Sequence, residues 1–273
     1  MILKTLVENT AVSSEYQSKH GICFYIETGE HRILFDLGPN DLFLKNAEKM
    51  GVDISEVDTV VISHGHKDHG GALKLFLERN QTAKVYIHEN AFDKHYIKVL
   101  GIYFNTGIDA SLKYHPQVIL TNERMSIDDQ LLLFADVQER ELRSRSNDSL
   151  YAKRNEKIYL DDFSHEQNLI VTEGNKKILI AGCSHAGIVN IKRKAEEIIN
   201  SKLTYVIAGF HLYNPVSGKK ESDDLVQAIG EQLNDDKTHY YTCHCTGKKA
   251  FAVLKDVLSD KLSYLSTGTV LEL

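Results

Sequence analysis

Three histidines and an aspartate fall within six residues of this chain. The segment Ser63-His64-Gly65-His66-Lys67-Asp68-His69-Gly70-Gly71 follows directly on the apolar run Val60-Val61-Ile62. The fold must therefore deliver the end of a short buried strand, just before a glycine-marked turn, to a site that uses imidazole. In an extended backbone side chains alternate with period two, so His64 and His66 point the same way. Asp68 and His69 come at the end of the loop and can face a second position. Neutral imidazoles suit zinc, iron and nickel, and an added carboxylate fits a hydrolytic site with an open coordination position. A surface loop can hold one histidine by chance, but H-x-H-x-D-H after a buried strand points to metal binding.

Around this segment the pattern alternates between strand and helix. Residues 2–7, 22–28 and 32–36 read as strands rich in β-branched and aromatic side chains, the last two forming a hairpin around Thr28-Gly29-Glu30. Residues 40–50 have helical spacing, with Asn40 as an N-cap and Gly51 as the stop. A helix is expected over 71–79 and a strand over 84–88. Two further β runs occupy 168–182, followed by helices over 188–200, 222–234 and 247–259 and strands over 204–209 and 239–243. Two β-rich halves with helices outside predict an α/β fold, an αββα four-layer sandwich. Residues 90–160 carry a charged stretch, 138–157, without clean periodicity. They read as an irregular insertion into one domain over 1–273, either a solvated excursion or a lid over the site.

Composition narrows the partners. The 273 residues hold 32 basic and 38 acidic side chains, a net charge of −6, which argues against wrapping nucleic acid. No apolar run approaches the roughly 20 residues of a membrane span. The opening MILKTLVENT does not read as a secretory leader. Four cysteines, Cys23, Cys183, Cys243 and Cys245, are too few for a disulfide scaffold. The expectation is a reduced, cytoplasmic protein with a small-molecule substrate.

SHGHKDHGGAL resembles the H-x-H-x-D-H signature of the metallo-β-lactamase superfamily, and GICFYIETGEHRILFDLG (21–38) resembles that family's opening hairpin. LVENTA (6–11), LIAGCSHAGIVNI (179–191), IAGFHL (207–212) and CHCTGKKA (243–250) resemble a subfamily that includes dihydropterin ribofuranosylaminobenzene phosphate synthase. The resemblance implies the αββα sandwich. It also implies one donor set of His64, His66 and His185 and a neighbouring one of Asp68, His69 and His244, holding one or two ions. Zinc is the expected metal, with iron or manganese as alternatives. Most two-metal members carry a Gly-Asp whose carboxylate bridges the ions. Here Gly182-Cys183-Ser184-His185 offers a thiol and an imidazole but no Asp, so a weaker second ion is expected.

Other candidates are Asp36, ending the strand RILFD, as support for the ligands, and His211 in GFHL as a catalytic proton donor, substrate contact or extra ligand. Should His211 serve only in packing, Asp161, Asp162 or Glu166 would have to complete the site. Lys248, at a predicted helix start, is a candidate for binding a substrate phosphate. A metal held by imidazoles lowers a bound water's pKa from 15.7 to about 7, and Asp68 would hold and orient the nucleophile. The expected activity is a metal-dependent hydrolase whose metal-bound hydroxide attacks a phosphate ester or related small molecule. The resemblance offers a transferase instead, joining a dihydropterin pyrophosphate to a ribofuranosylaminobenzene phosphate. The Cys243-His244-Cys245 segment offers a third reading, a non-enzymatic metal or redox sensor.

Overall fold

Alternation along the strands sorts neighbouring residues into different cores. Phe24 and Ile26 face one apolar cluster while Cys23 and Tyr25 face another; Val61 separates in the same way from Val60 and Ile62. In the second half Ile207 points to the cluster that holds Phe24, and Val206 and Ala208 point to a third. Three cores separated by two sheets make four layers, with helices outside. The computed structural model describes residues 1–273.

The first sheet has the spatial order Val270–Glu272, Ile2–Val7, Cys23–Glu27, Arg32–Phe35, Thr59–Ile62, Lys84–His88, Val118–Thr121. Its hairpin is antiparallel and pairs Phe24 with Phe35, whereas the strands from Arg32–Phe35 onward run parallel. The second sheet runs Leu262–Tyr264, His239–Cys243, Tyr205–Gly209, Lys176–Ile180, Asn168–Glu173, Leu131–Phe134, Arg124–Ser126, its first four strands parallel. Helices Leu42–Lys49 and Leu73–Arg79 cover the first sheet, and Ile188–Ile199, Asp223–Leu233 and Lys248–Leu258 the second. No helix is long and apolar enough to cross a membrane.

Three expectations need correction. Residues 90–160 are not an irregular insertion. Val118–Thr121 extends the first sheet, and Arg124–Ser126 and Leu131–Phe134 extend the second. A separate antiparallel sheet has the order Lys157–Leu160, Leu150–Arg154, Lys94–Val99, Ile102–Asn105. Its two edge strands are exposed along their whole length, so no buried face imposes the alternation that identifies a strand in sequence. The helix expected over 71–79 runs Leu73–Arg79, and an unexpected short helical turn, Lys67–Gly70, precedes it. Asp68 and His69 thus sit on helical backbone rather than in an open loop. Asp41, not Asn40, occupies the N-cap of the first helix, and Asn40 Oδ1 accepts the Leu42 N–H instead.

Candidate metal centre

The candidate residues share one location because each lies just past the end of a strand. Asp36 follows Arg32–Phe35, His64 and His66 follow Thr59–Ile62, and Cys183 and His185 follow Lys176–Ile180. His211 and His244 follow the adjacent parallel strands Tyr205–Gly209 and His239–Cys243. Parallel strands end on the same side of a sheet, where α/β folds build their sites. Asp36, Ser184, His211 and His244 have φ of 59°, 58°, 50° and 50°. Non-glycine residues rarely adopt this left-handed backbone, and such strain clusters at functional sites.

The donors fall into two groups. In the first, His64 Nε2 and His66 Nδ1 are 3.1 Å apart, and the His185 ring centroid lies 4.9 and 5.2 Å from those of His64 and His66. In the second, Asp68 Oδ2 lies 3.6 Å from His69 Nε2 and 3.3 Å from His244 Nε2. Ligands at about 2.0–2.1 Å around a tetrahedral zinc are separated by roughly 3.3 Å. The donor-atom pairs His64–His66, Asp68–His244 and Asp68–His69, at 3.1, 3.3 and 3.6 Å, have this separation.

The outer ring nitrogens are held from behind. His64 Nδ1 meets Ser63 Oγ at 2.9 Å, His69 Nδ1 meets Asp36 Oδ2 at 2.6 Å, His185 Nδ1 meets Asn147 Oδ1 at 2.8 Å and His244 Nδ1 meets Asn9 Oδ1 at 2.8 Å. Such partners fix the tautomer and leave Nε2 with a free lone pair. The Nε2 atoms of His185 and His244 are buried without a hydrogen-bond partner, as are both ring nitrogens of His211. Backbone is anchored as well: Glu166 accepts the N–H groups of His185 and Ala186, and Glu8 accepts that of His244.

Charge follows this division. Burial, reinforced by the neighbouring imidazoles, holds His64, His66 and His185 well below the usual histidine range, so these rings are neutral at pH 7. For His69 burial acts in the same direction, but Asp36 and Asp68 outweigh it and push the ring up to about 9. Burial would raise the Asp68 carboxyl, yet the neighbouring His69, His20 and His244 rings keep it well below its ordinary value.

A cavity of about 390 Å³ opens onto both groups, with His66, Asp68, His185, His211 and His244 in its wall. Ile97, Asn105 and Leu150 of the smaller sheet line the same cavity, so the 90–160 segment contributes to its wall. Lys248 does not line this cavity. With Lys220 and Lys249 it borders a neighbouring one of about 280 Å³ that shares His244.

Several participants were not singled out in the sequence. His20 Nε2 lies 3.3 Å from Asp68 Oδ2, with its ring 4.4 Å from that of His244. Asn9 lies in the LVENTA segment quoted above, but its residue type does not mark it as a ligand support, and nothing local marks Asn147. His95 and His165, also unmarked in the sequence, form with Asp161 a buried cluster behind His66: Asp161 Oδ2 is 3.0 Å from His95 Nδ1 and 3.2 Å from His165 Nε2. None of the three carboxylates considered as substitutes for a bridging Asp stands between the two groups. Asp161 faces that cluster, Asp162 pairs with Arg154, and both oxygens of Glu166 are taken by backbone. Cys23 and Cys243 belong to apolar cores, and only Cys183 and Cys245 join the donor groups. The four thiols therefore do not converge on a cluster.

Comparison with known proteins agrees with this geometry. The family profile described as metallo-beta-lactamase superfamily matches residues 20–142. The solved structure of Tm1679, described as a metal-dependent hydrolase of the beta-lactamase superfamily, superimposes with a TM-score of 0.84 at 30% identity, covering 100% of this chain and 99% of that one. The chain belongs to the metallo-β-lactamase superfamily. Members of the superfamily are generally metal-dependent hydrolases. Two curated relatives come from Methanocaldococcus jannaschii. The uncharacterised protein MJ0448 is 29% identical, covering 94% of each chain. The other, 7,8-dihydropterin-6-methyl-4-(beta-D-ribofuranosyl)-aminobenzene-5'-phosphate synthase, is 25% identical, covering 98% of this chain and 95% of its own. The superfamily's typical use of metal ions accords with the candidate donor clusters found here, among them His64/Cys183/His185, His69/Cys183/His244 and His20/Asp68/His244.

Proposed function

We propose that this protein is a two-metal hydrolase, with zinc as the favoured ion, acting on a phosphate-bearing small molecule. The observation that carries the reading is the pair of donor groups, His64/His66/His185 and Asp68/His69/His244, meeting at one cavity, with the outer nitrogens of His64, His69, His185 and His244 already fixed. Metal ions bound there would supply Lewis acidity and lower the pKa of an attacking water. The chain's own residues do the rest. Asp68, kept ionised by His20, His69 and His244, presents a carboxylate oxygen that can hold and orient a water proton. His211, with two unpartnered nitrogens at the cavity wall, can donate a proton to a departing oxygen. Lys220, Lys248 and Lys249 around the adjoining cavity can offset phosphate charge.

A transferase reading is favoured by the likeness to the M. jannaschii synthase over nearly the whole chain. In that case the same groups would stabilise a departing pyrophosphate while an aryl-amine acceptor replaces water. The test is a panel of phosphoesters, lactones and thioesters given to zinc-loaded protein, with and without an aryl-amine acceptor. His66→Ala serves as the control for metal dependence. Phosphate release without acceptor supports hydrolysis, and turnover only with acceptor assigns transfer. Full metal occupancy in His66→Ala would reject the first donor group.

A further inference from the structure

Six donors in two groups leave a charge problem at their junction. Two divalent ions would be held by five neutral imidazoles and a single anionic donor, Asp68, so their mutual repulsion would be poorly offset. The position between the groups is occupied by sulfur. Cys183 Sγ lies 3.2 Å from His69 Nε2. It also lies within 4.8 Å of donor atoms of His64 and His185 on one side and of His69 and His244 on the other. Cys183 is the one residue common to both sets. It is 3% exposed, and the unpartnered Nε2 atoms of His185 and His244 belong to the groups it joins.

The backbone leaves this sulfur little freedom. A Cβ on Gly182 would come within 2.2 Å of Ser63 Oγ, and one on Gly209 within 2.6 Å of Cys245 Sγ and 3.0 Å of the Gly182 carbonyl. The strand ends are thus in close contact, and Ser184 turns the chain at φ 58° so that residues 183 and 185 both reach the site. Cys245 stands behind: its Sγ accepts the His211 N–H at 3.2 Å and approaches the Cys183 carbonyl at 3.6 Å.

We propose that Cys183 bridges the two metal ions as a thiolate, taking the place of the carboxylate that most two-metal members of the superfamily use. A coordinating thiol is deprotonated by the ion, so the Cys183 proton passes to solvent as two metal–sulfur bonds form, and one negative charge is restored between the cations. A sulfur bridge selects borderline and soft ions such as zinc, ferrous iron or cobalt over magnesium and manganese. The inference rests on the two-metal reading above, and the experiment separates the two.

Protein stripped of metal and reloaded with excess zinc is examined by X-ray absorption, with metal content measured in parallel. A bridge gives one sulfur neighbour per zinc at about 2.3 Å in the wild type and in Cys245→Ser. Cys183→Asp should keep two zincs and show none. A value of half a sulfur per zinc in the wild type, or a halving in Cys245→Ser, means terminal thiolates and overturns the bridge. Two zincs with no sulfur, or uptake of a single zinc, also overturns it. Cobalt-loaded samples give an independent reading, because the near-ultraviolet sulfur-to-cobalt band must vanish in Cys183→Asp and survive in Cys245→Ser. Loss of all metal in His64→Ala together with an absent sulfur signal in the wild type would sink the bridge while sparing the metal centre.

Discussion

Asp36→Asn isolates one charge behind the second donor group. Asp36 is fully buried and accepts three hydrogen bonds: Ser63 N–H on Oδ1 at 2.7 Å, and Ser63 Oγ and His69 Nδ1 on Oδ2 at 2.7 and 2.6 Å. Asparagine has the same shape and tolerates the left-handed φ of 59°, so the backbone is not the perturbation. An amide can take either orientation, and both are wrong. With its NH₂ toward His69, two donors collide unless the imidazole moves its proton to Nε2, where a metal needs the lone pair. With its NH₂ toward the Ser63 amide, the donors collide there instead. A charge-assisted hydrogen bond contributes about 1.5–3 kcal/mol, and loss of a ligand's outer partner typically weakens metal binding about 10–100-fold. That factor converts to roughly 1.4–2.7 kcal/mol, so the two estimates agree. Chelator competition should therefore show the second ion bound about 10–100-fold more weakly, and the first ion, reached only through Ser63, affected much less. Circular dichroism should show a folded protein, since about 1–3 kcal/mol for a buried unpaired donor is below a typical total stability of about 5–15 kcal/mol. Unchanged affinity for both ions, or equal losses at both, would refute the reasoning.

His211→Ala should reduce turnover by more than it reduces metal content, because its ring nitrogens face the cavity without partners; wild-type turnover would make it a packing residue. Gly182→Ala forces a Cβ to within 2.2 Å of Ser63 Oγ and 3.3 Å of His64 Nδ1. It should cost about 1–3 kcal/mol of stability, read as a lowered thermal midpoint, and weaken the first ion. Asp235 is held below the usual carboxylate range because Lys192 and the N–H groups of Thr238 and Lys237 outweigh burial. With the folded value depressed, its contribution is present above the unfolded pKa near 3.9 and is lost as pH falls through the folded value. Asp235→Asn should therefore lower the thermal midpoint by about 1–3 °C at pH 7 and by less at pH 2, and an equal shift at both would remove the charge from the explanation.

Local sequence carried the two-sheet architecture and most of the candidate donors. CFYIE, TVVI and YVIAG are short, nearly unbroken apolar runs because cores on both faces of the strand bury successive side chains, so they mark those strands without reference to the rest of the chain. The donors His64, His66, Asp68 and His69 are adjacent in sequence, and His185, His211 and His244 each end a β run. The smaller sheet was not legible, because its edge strands Ile102–Asn105 and Lys157–Leu160 bury neither face and their apolar side chains follow no period. Nor could sequence show that His20, Asn9 and Asn147 belong to the site, since each meets its partners through contacts made across the fold. Cys183 marks the same boundary. Gly-Cys-Ser-His shows a thiol where an aspartate is usual, but only the convergence of parallel strand ends sets that sulfur between two groups of imidazoles. Composition and period act through neighbours along the chain, whereas a bridging position is defined by distances between strands that are far apart in sequence.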